Sequence, residues 1–204
     1  MRVFQVIRYG ALAAAGALAL AGGAAILLGR PTEPRVTAVG LPAIGGPFRL
    51  VAHTGAVVDS SHLQGRPLIV FFGFTHCPDV CPTALASLSQ ALSDLGPDAD
   101  RLQAVFVTVD PERDTQVALA QYMQAFDPRI LALTGTPEEI ATVTKAYKVF
   151  AEKVPRAGGD YTMNHTASVF LMDRQGRFKG TIAQGESSEA AMMKLRLLIG
   201  LKAT

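Results

Sequence analysis

The sequence predicts an α/β domain with a parallel core and an antiparallel edge, carried behind one apolar N-terminal segment. Two nearly continuous apolar runs, 68–74 and 102–109, read as strands buried on both faces. Each is followed by residues with a helical apolar period, which implies crossovers and hence parallel strands. Near the C-terminus two further apolar runs, 168–172 and 178–182, flank the short turn Asp173-Arg-Gln-Gly176 and read as an antiparallel hairpin.

The first thirty residues stand apart from the rest. Arg2 and Arg8 precede an uncharged Ala/Leu/Gly run over 11–28, Arg30-Pro31 closes it, and no acidic residue occurs before Glu33. Such a run is long for a signal-peptide core and about the minimum for a membrane span. The small-residue triplet Ala19-Leu20-Ala21 lies inside the run instead of after it, which favours an uncleaved transmembrane helix over 1–30. Basic residues ahead of the run place the N-terminus inside and export the remainder. The expected location is the inner (cytoplasmic) membrane, single-pass, with the C-terminal domain in the periplasm. Residues 31–44, rich in Pro and Gly, read as a linker, and 45–204 as one domain.

Charge narrows the function. The chain has 19 Lys+Arg and 17 Asp+Glu, so without Arg2 and Arg8 the balance is 17 to 17. With no basic block, nothing steers the exported part onto nucleic acid.

Within the domain, 48–51 and 56–59 flank His53-Thr-Gly55 and suggest a hairpin with a glycine turn. After the strand 68–74, Leu85, Leu88, Leu92 and Leu95 mark a helix over 83–95, with Pro82 at its first position and Gly96-Pro97 at its end. The strand 102–109 runs into Asp110-Pro-Glu-Arg-Asp-Thr115, a strand-to-helix turn in which Asp114 or Thr115 caps a helix over 117–126. A helix over 138–147 has Thr136 as its cap and Pro137 at its first position, and 187–198 reads as a closing helix. The order is β–α–β–α–α–β–β–α after the hairpin. Residues 150–164, with Pro155, Gly158 and Gly159, fit no element and read as a long loop ending at His165.

The chain has two cysteines, Cys77 and Cys81, at the exit of the first buried strand and the first turn of a helix. Partial positive charge from unpaired backbone N–H groups favours thiolate there. Two thiols at this spacing can bind a soft metal, cycle to a disulfide, or staple the turn. A disulfide closing so small a loop gains little, which weighs against the staple.

Three blocks carry a resemblance. Gly73-Phe-Thr-His-Cys-Pro-Asp-Val-Cys-Pro-Thr83, Val109-Asp-Pro-Glu-Arg-Asp-Thr115 and Asp160-Tyr-Thr-Met-Asn-His165-Thr resemble, in order and spacing, the signature blocks of the Sco/SenC family. Those proteins are membrane-anchored copper chaperones of cytochrome c oxidase assembly, and the likeness runs from about residue 48 to the C-terminus. It implies a thioredoxin-like sandwich, with Cys77 and Cys81 as thiolate ligands and His165 as the imidazole ligand of copper, Cu(I) and/or Cu(II). It also implies delivery of that copper to the binuclear copper centre of the oxidase subunit, an upstream copper donor or thiol reductant, and a flexible loop under His165. On this reading the protein is not an enzyme.

The metal assignment also agrees with elementary chemistry. Cu(I) is soft and accepts low coordination, so two thiolates and an imidazole suffice. A structural zinc site needs four ligands, which His76 or Asp79 would have to complete. The rival function is thiol–disulfide exchange that keeps the oxidase copper-site cysteines reduced, although the usual spacing for that chemistry is one residue shorter. A peroxidase reading is weaker still, since Pro78 and Phe74 stand where a threonine would be required three residues before either cysteine.

Among the other candidates, Asn164 stands where the family often has Asp beside the ligand histidine, so a weaker hydrogen bond is expected to orient His165. Asn164-His-Thr166 also matches a glycosylation sequon, which we read as coincidence. His53 and His62 read as solvated, Met163 as a core or loop residue, and at least one of Met192 and Met193 as core packing.

Overall fold

The computed structural model describes residues 43–202, and the apolar segment read as an anchor lies outside them. Among the described residues no helix is long and apolar enough to cross a membrane. Strands β1 (Arg49–Ala52) and β2 (Val57–Asp59) form the expected hairpin, turned at Gly55 with φ 89°. Then follow β3 (Leu68–Gly73), α1 (Val80–Leu95), β4 (Gln103–Thr108), α2 (Gln116–Tyr122), β5 (Ile130–Thr134) and α3 (Pro137–Ala146). The chain continues through β6 (Ala151–Pro155), β7 (Tyr161–His165), β8 (Val169–Met172), β9 (Phe178–Ile182) and α4 (Ser188–Leu198).

A seven-stranded sheet takes the order β2-β1-β5-β4-β3-β8-β9. Strands β3, β4 and β5 are parallel, while β1 pairs antiparallel with β5 and β8 with β3. The parallel core and the antiparallel β8–β9 edge are therefore as expected, and the β1–β2 hairpin adds a second antiparallel edge beside β5. Every residue of β3 is buried, which is why its run carries no polar alternation.

Four local readings change. Strand β5 was not expected; five residues carry too little periodicity to declare themselves, and pairing with β4 on one side and β1 on the other makes them a strand. Residues 150–164 are not an irregular loop but the hairpin β6–β7, a separate two-stranded sheet. All of β6 is exposed, so no apolar pattern marked it, and the glycines that read as loop are its turn, with φ 89° at Gly158 and 84° at Gly159.

Helix α1 starts at Val80, which puts Pro82 third instead of first. Its first backbone bond runs from Thr83 N–H to Asp79 O (3.1 Å), so the missing proline N–H is still one that would have no partner. Helix α2 ends at Tyr122 in a 3₁₀ turn, and its cap is Thr115, whose hydroxyl accepts from Ala118 N–H (3.2 Å). At α3, Thr136 and Glu139 form a reciprocal capping box (3.2 and 2.8 Å).

Ahead of β5, Arg129 forks onto Asp127 (2.9 and 2.6 Å), and its hydrogen bonds hold that carboxyl below the usual carboxylate range. A depressed acid stabilises above its unfolded value, near about 3.9, and loses that contribution as pH falls through the folded value. Asp127→Asn is expected to lower the urea midpoint at pH 7, and the difference from wild type should shrink as pH falls below about 4. Urea titrations at both pH values check it.

Candidate metal centre

The parallel pairing of β3 and β4 brings the ends of both strands to one edge, where clefts form in such sheets. From β3 the chain turns through Cys77, whose N–H donates to Phe74 O (3.3 Å), and enters α1. Cys81 is the second residue of that helix and is fully buried; Cys77 is half-buried, and both are free thiols. Cys81 N–H donates to Cys77 Sγ (3.4 Å), so the helix start is turned toward the outer sulfur.

His165 arrives from elsewhere in the chain, as the last residue of β7. Its Nε2 lies 3.5 Å from Cys81 Sγ, and its Nδ1 lies 3.0 Å from Thr166 O. A carbonyl only accepts, so Nδ1 carries the proton and the Nε2 lone pair faces the sulfur. Burial lowers the imidazole's basicity, which favours the neutral ring. Phe74 meets the ring edge-on, with centroids 5.7 Å apart. The group that orients the histidine is thus a backbone carbonyl and not residue 164, and Asn164 is exposed on β7.

One expectation is corrected. Burial pushes the Cys81 thiol well above its usual range, the opposite direction from the thiolate expected at a helix N-terminus. A metal binding to that sulfur has to displace its proton.

Gly73 makes room for the sulfur. A Cβ there would stand 2.8 Å from Cys81 Sγ and 2.8 Å from Phe106 Cε2, both inside the core. Gly73→Ala is expected to cost about 1–3 kcal/mol through overpacking. Denaturant unfolding measures the loss, and a wild-type midpoint would show that the core yields freely.

The segment after β4 does more than turn the chain and cap a helix. Asp114 is fully buried and accepts from Thr75 N–H (3.0 Å), Thr75 Oγ1 (2.6 Å) and Thr108 Oγ1 (2.6 Å). It therefore pins the start of the cysteine loop to the neighbouring strand. Asp110, also fully buried, accepts from Arg113 Nε and from Tyr161 Oη (2.8 Å). The available signal was acids placed just past a buried strand, beside the loop that carries the cysteines.

The remaining candidates fall into place. His76 is exposed, with Nδ1 3.1 Å from Thr75 Oγ1, and Asp79 is exposed and accepts from Thr83 Oγ1 (3.4 Å). Among the described residues no group of three or more His, Cys, Asp and Glu is already gathered around one point. The structure brings Cys81 and His165 into contact and leaves Cys77 bonded to the helix start. His53 is not simply solvated, for its Nδ1 accepts from Ala132 N–H (3.1 Å), whereas His62 is exposed. Met163 and Met192 pack against the core, and Met193 is exposed.

Comparison with known proteins supplies the context for this pairing. The SCO1/SenC family model matches residues 37–200. The mitochondrial SCO2 homolog of Bos taurus is 38% identical over 161 residues, covering 77% of this chain and 60% of that protein. The chain thus spans less than two thirds of that relative's length. Among solved structures, Bradyrhizobium japonicum ScoI with copper bound is 48% identical with a TM-score of 0.72, over 76% of this chain and 99% of that one. Arabidopsis thaliana ScoI with copper bound is 35% identical with a TM-score of 0.72, over 77% and 98%.

Proposed function

The chain belongs to the SCO1/SenC family, and from that premise we propose that it is a copper metallochaperone using Cys77, Cys81 and His165. The observation that carries the reading is the lone pair of His165 Nε2 aimed at Cys81 Sγ across 3.5 Å, with the other ring nitrogen fixed as a donor. Cys77 sits at the same helix start and completes the set by turning its half-buried sulfur from the Cys81 N–H toward a shared ion. Two soft sulfurs and one imidazole suit Cu(I), and relatives with this fold hold copper. The copper is cargo, delivered to the binuclear copper centre of cytochrome c oxidase. The N-terminal apolar run would hold the domain, residues 45–204, on the exported face of the inner membrane.

Copper titration of the reduced chain beside His165→Ala tests this. If about 10–16 kcal/mol of metal binding is spread over four ligands in a structural site, one ligand accounts for about 2.5–4 kcal/mol. The variant should therefore bind about 10²–10³-fold more weakly. Equal affinity in both proteins would leave only a dithiol and remove the histidine from the site.

A second reading, thiol–disulfide exchange on the oxidase copper-site cysteines, is favoured by one asymmetry. The outer sulfur of Cys77 receives a backbone N–H while the inner thiol is buried, the arrangement of an attacking and a resolving pair. A reduction potential near those of reducing thioredoxin-like proteins, without copper binding, would make this the primary role.

A further inference from the structure

The β6–β7 hairpin carries His165 but has little of its own to hold it in place. All five residues of β6 are exposed, and the hairpin lies outside the seven-stranded sheet. On β7 the alternate residues Tyr161, Met163 and His165 share one face. Each meets the body of the domain: His165 at Cys81, Met163 against the apolar core, and Tyr161 at the segment that follows β4.

The polar contacts concentrate at Tyr161. Its hydroxyl donates to Asp110 (2.8 Å), and Arg113 Nε donates to the same buried carboxylate. Arg113 Nη1 then donates to Tyr161 O (2.9 Å) and to Asp160 (3.2 Å). The guanidinium carbon stands 3.7 Å from the centroid of the Tyr161 ring. One arginine thus joins the body to both backbone and side chain of the strand, its planar fork donating to the backbone while its face covers the ring. Lys153 on β6 adds an exposed ion pair with Glu112.

We infer that Arg113 and Tyr161 form a latch that positions His165, with Asp110 as its anchor in the body of the domain. The latch fixes β7 four residues before the histidine, about 13 Å along a paired strand, and so sets where the imidazole lies against Cys81. Its purpose rests on the copper reading, but its geometry does not. The contact is built to open. It is mostly polar, Arg113 Nη2 is buried without a partner among the described residues, and no strand of the main sheet has to move when the hairpin leaves.

The test uses the full chain, reduced and metal-free, as wild type, Arg113→Ala and Tyr161→Phe. The phenylalanine variant removes only the bond to Asp110 and keeps the ring under the guanidinium, so it should fall between the other two. The readouts are the nuclear Overhauser contact between the His165 and Phe74 rings, and amide exchange over 161–165. In Arg113→Ala the ring contact is expected to be lost. Exchange in β7 should rise about tenfold or more, the factor worth about 1.4 kcal/mol, with rates in β3, β4 and β5 unchanged. A wild-type ring contact with wild-type exchange would overturn the latch. So would a rise spread equally over β3, β4 and β5, which would make Arg113 a general stability residue. Copper titration of the same wild-type sample is a separate arm. Its failure would sink the copper reading, while the ring contact would still decide the latch.

Discussion

Cys77→Ser combined with Cys81→Ala is expected to abolish copper binding at micromolar protein, by a margin of about 10⁴–10⁶ in affinity. Two of the three proposed ligands vanish, at about 2.5–4 kcal/mol each, and serine's hard oxygen does not replace a thiolate for Cu(I). Alanine is chosen at 81 because Cys81 is fully buried with His165 Nε2 3.5 Å from its sulfur, where a serine hydroxyl would donate to that nitrogen and tie up the remaining proposed ligand. Far-UV circular dichroism checks that the fold survives. Competition against a chelator of known affinity reads the loss, and retained stoichiometric copper would place the site elsewhere in the chain.

Asp114→Ala should be the most damaging single change near the site that removes no proposed ligand. Three donors, the Thr75 N–H and the hydroxyls of Thr75 and Thr108, lose their acceptor in a fully buried position. An orphaned buried group costs about 1–3 kcal/mol, and the hydroxyls can partly turn elsewhere, so a net loss of about 3–5 kcal/mol is expected. Asp114→Asn, which keeps one accepting oxygen, should recover part of it. Urea unfolding of the three proteins gives the ordering. A midpoint for Asp114→Ala within error of wild type would mean that water enters and takes over the carboxylate's role. Because Thr75 begins the turn toward Cys77, the alanine variant should also weaken copper binding.

The elements that could be read from the chain were those whose signal is local. The strand 68–73 announces itself because every side chain is buried, and α3 because Thr136 and Pro137 write its start into adjacent positions. The elements that could not be read depend on partners distant in sequence. Strand β5 exists because β1 and β4 flank it, and β6 because β7 pairs with it while both its faces meet water. Pairing partners lie outside any window in which periodicity can be measured.

The same division runs through the candidate site. Sequence alone supplied the proposed donors, since only Cys77 and Cys81 can offer thiolates and His165 stands in a block that resembles the family's third signature. It also placed the two cysteines between a buried strand and a helix. Tertiary structure decided the rest: which sulfur meets His165, that Thr166 O sets the ring's tautomer, and that burial pushes the Cys81 thiol up. It also decided that Asp110 and Asp114 act as buried anchors instead of turn and cap residues. The physical reason is that a side chain's identity is carried by its own position, whereas its burial and hydrogen-bond partners come from strands that meet only once the chain has folded.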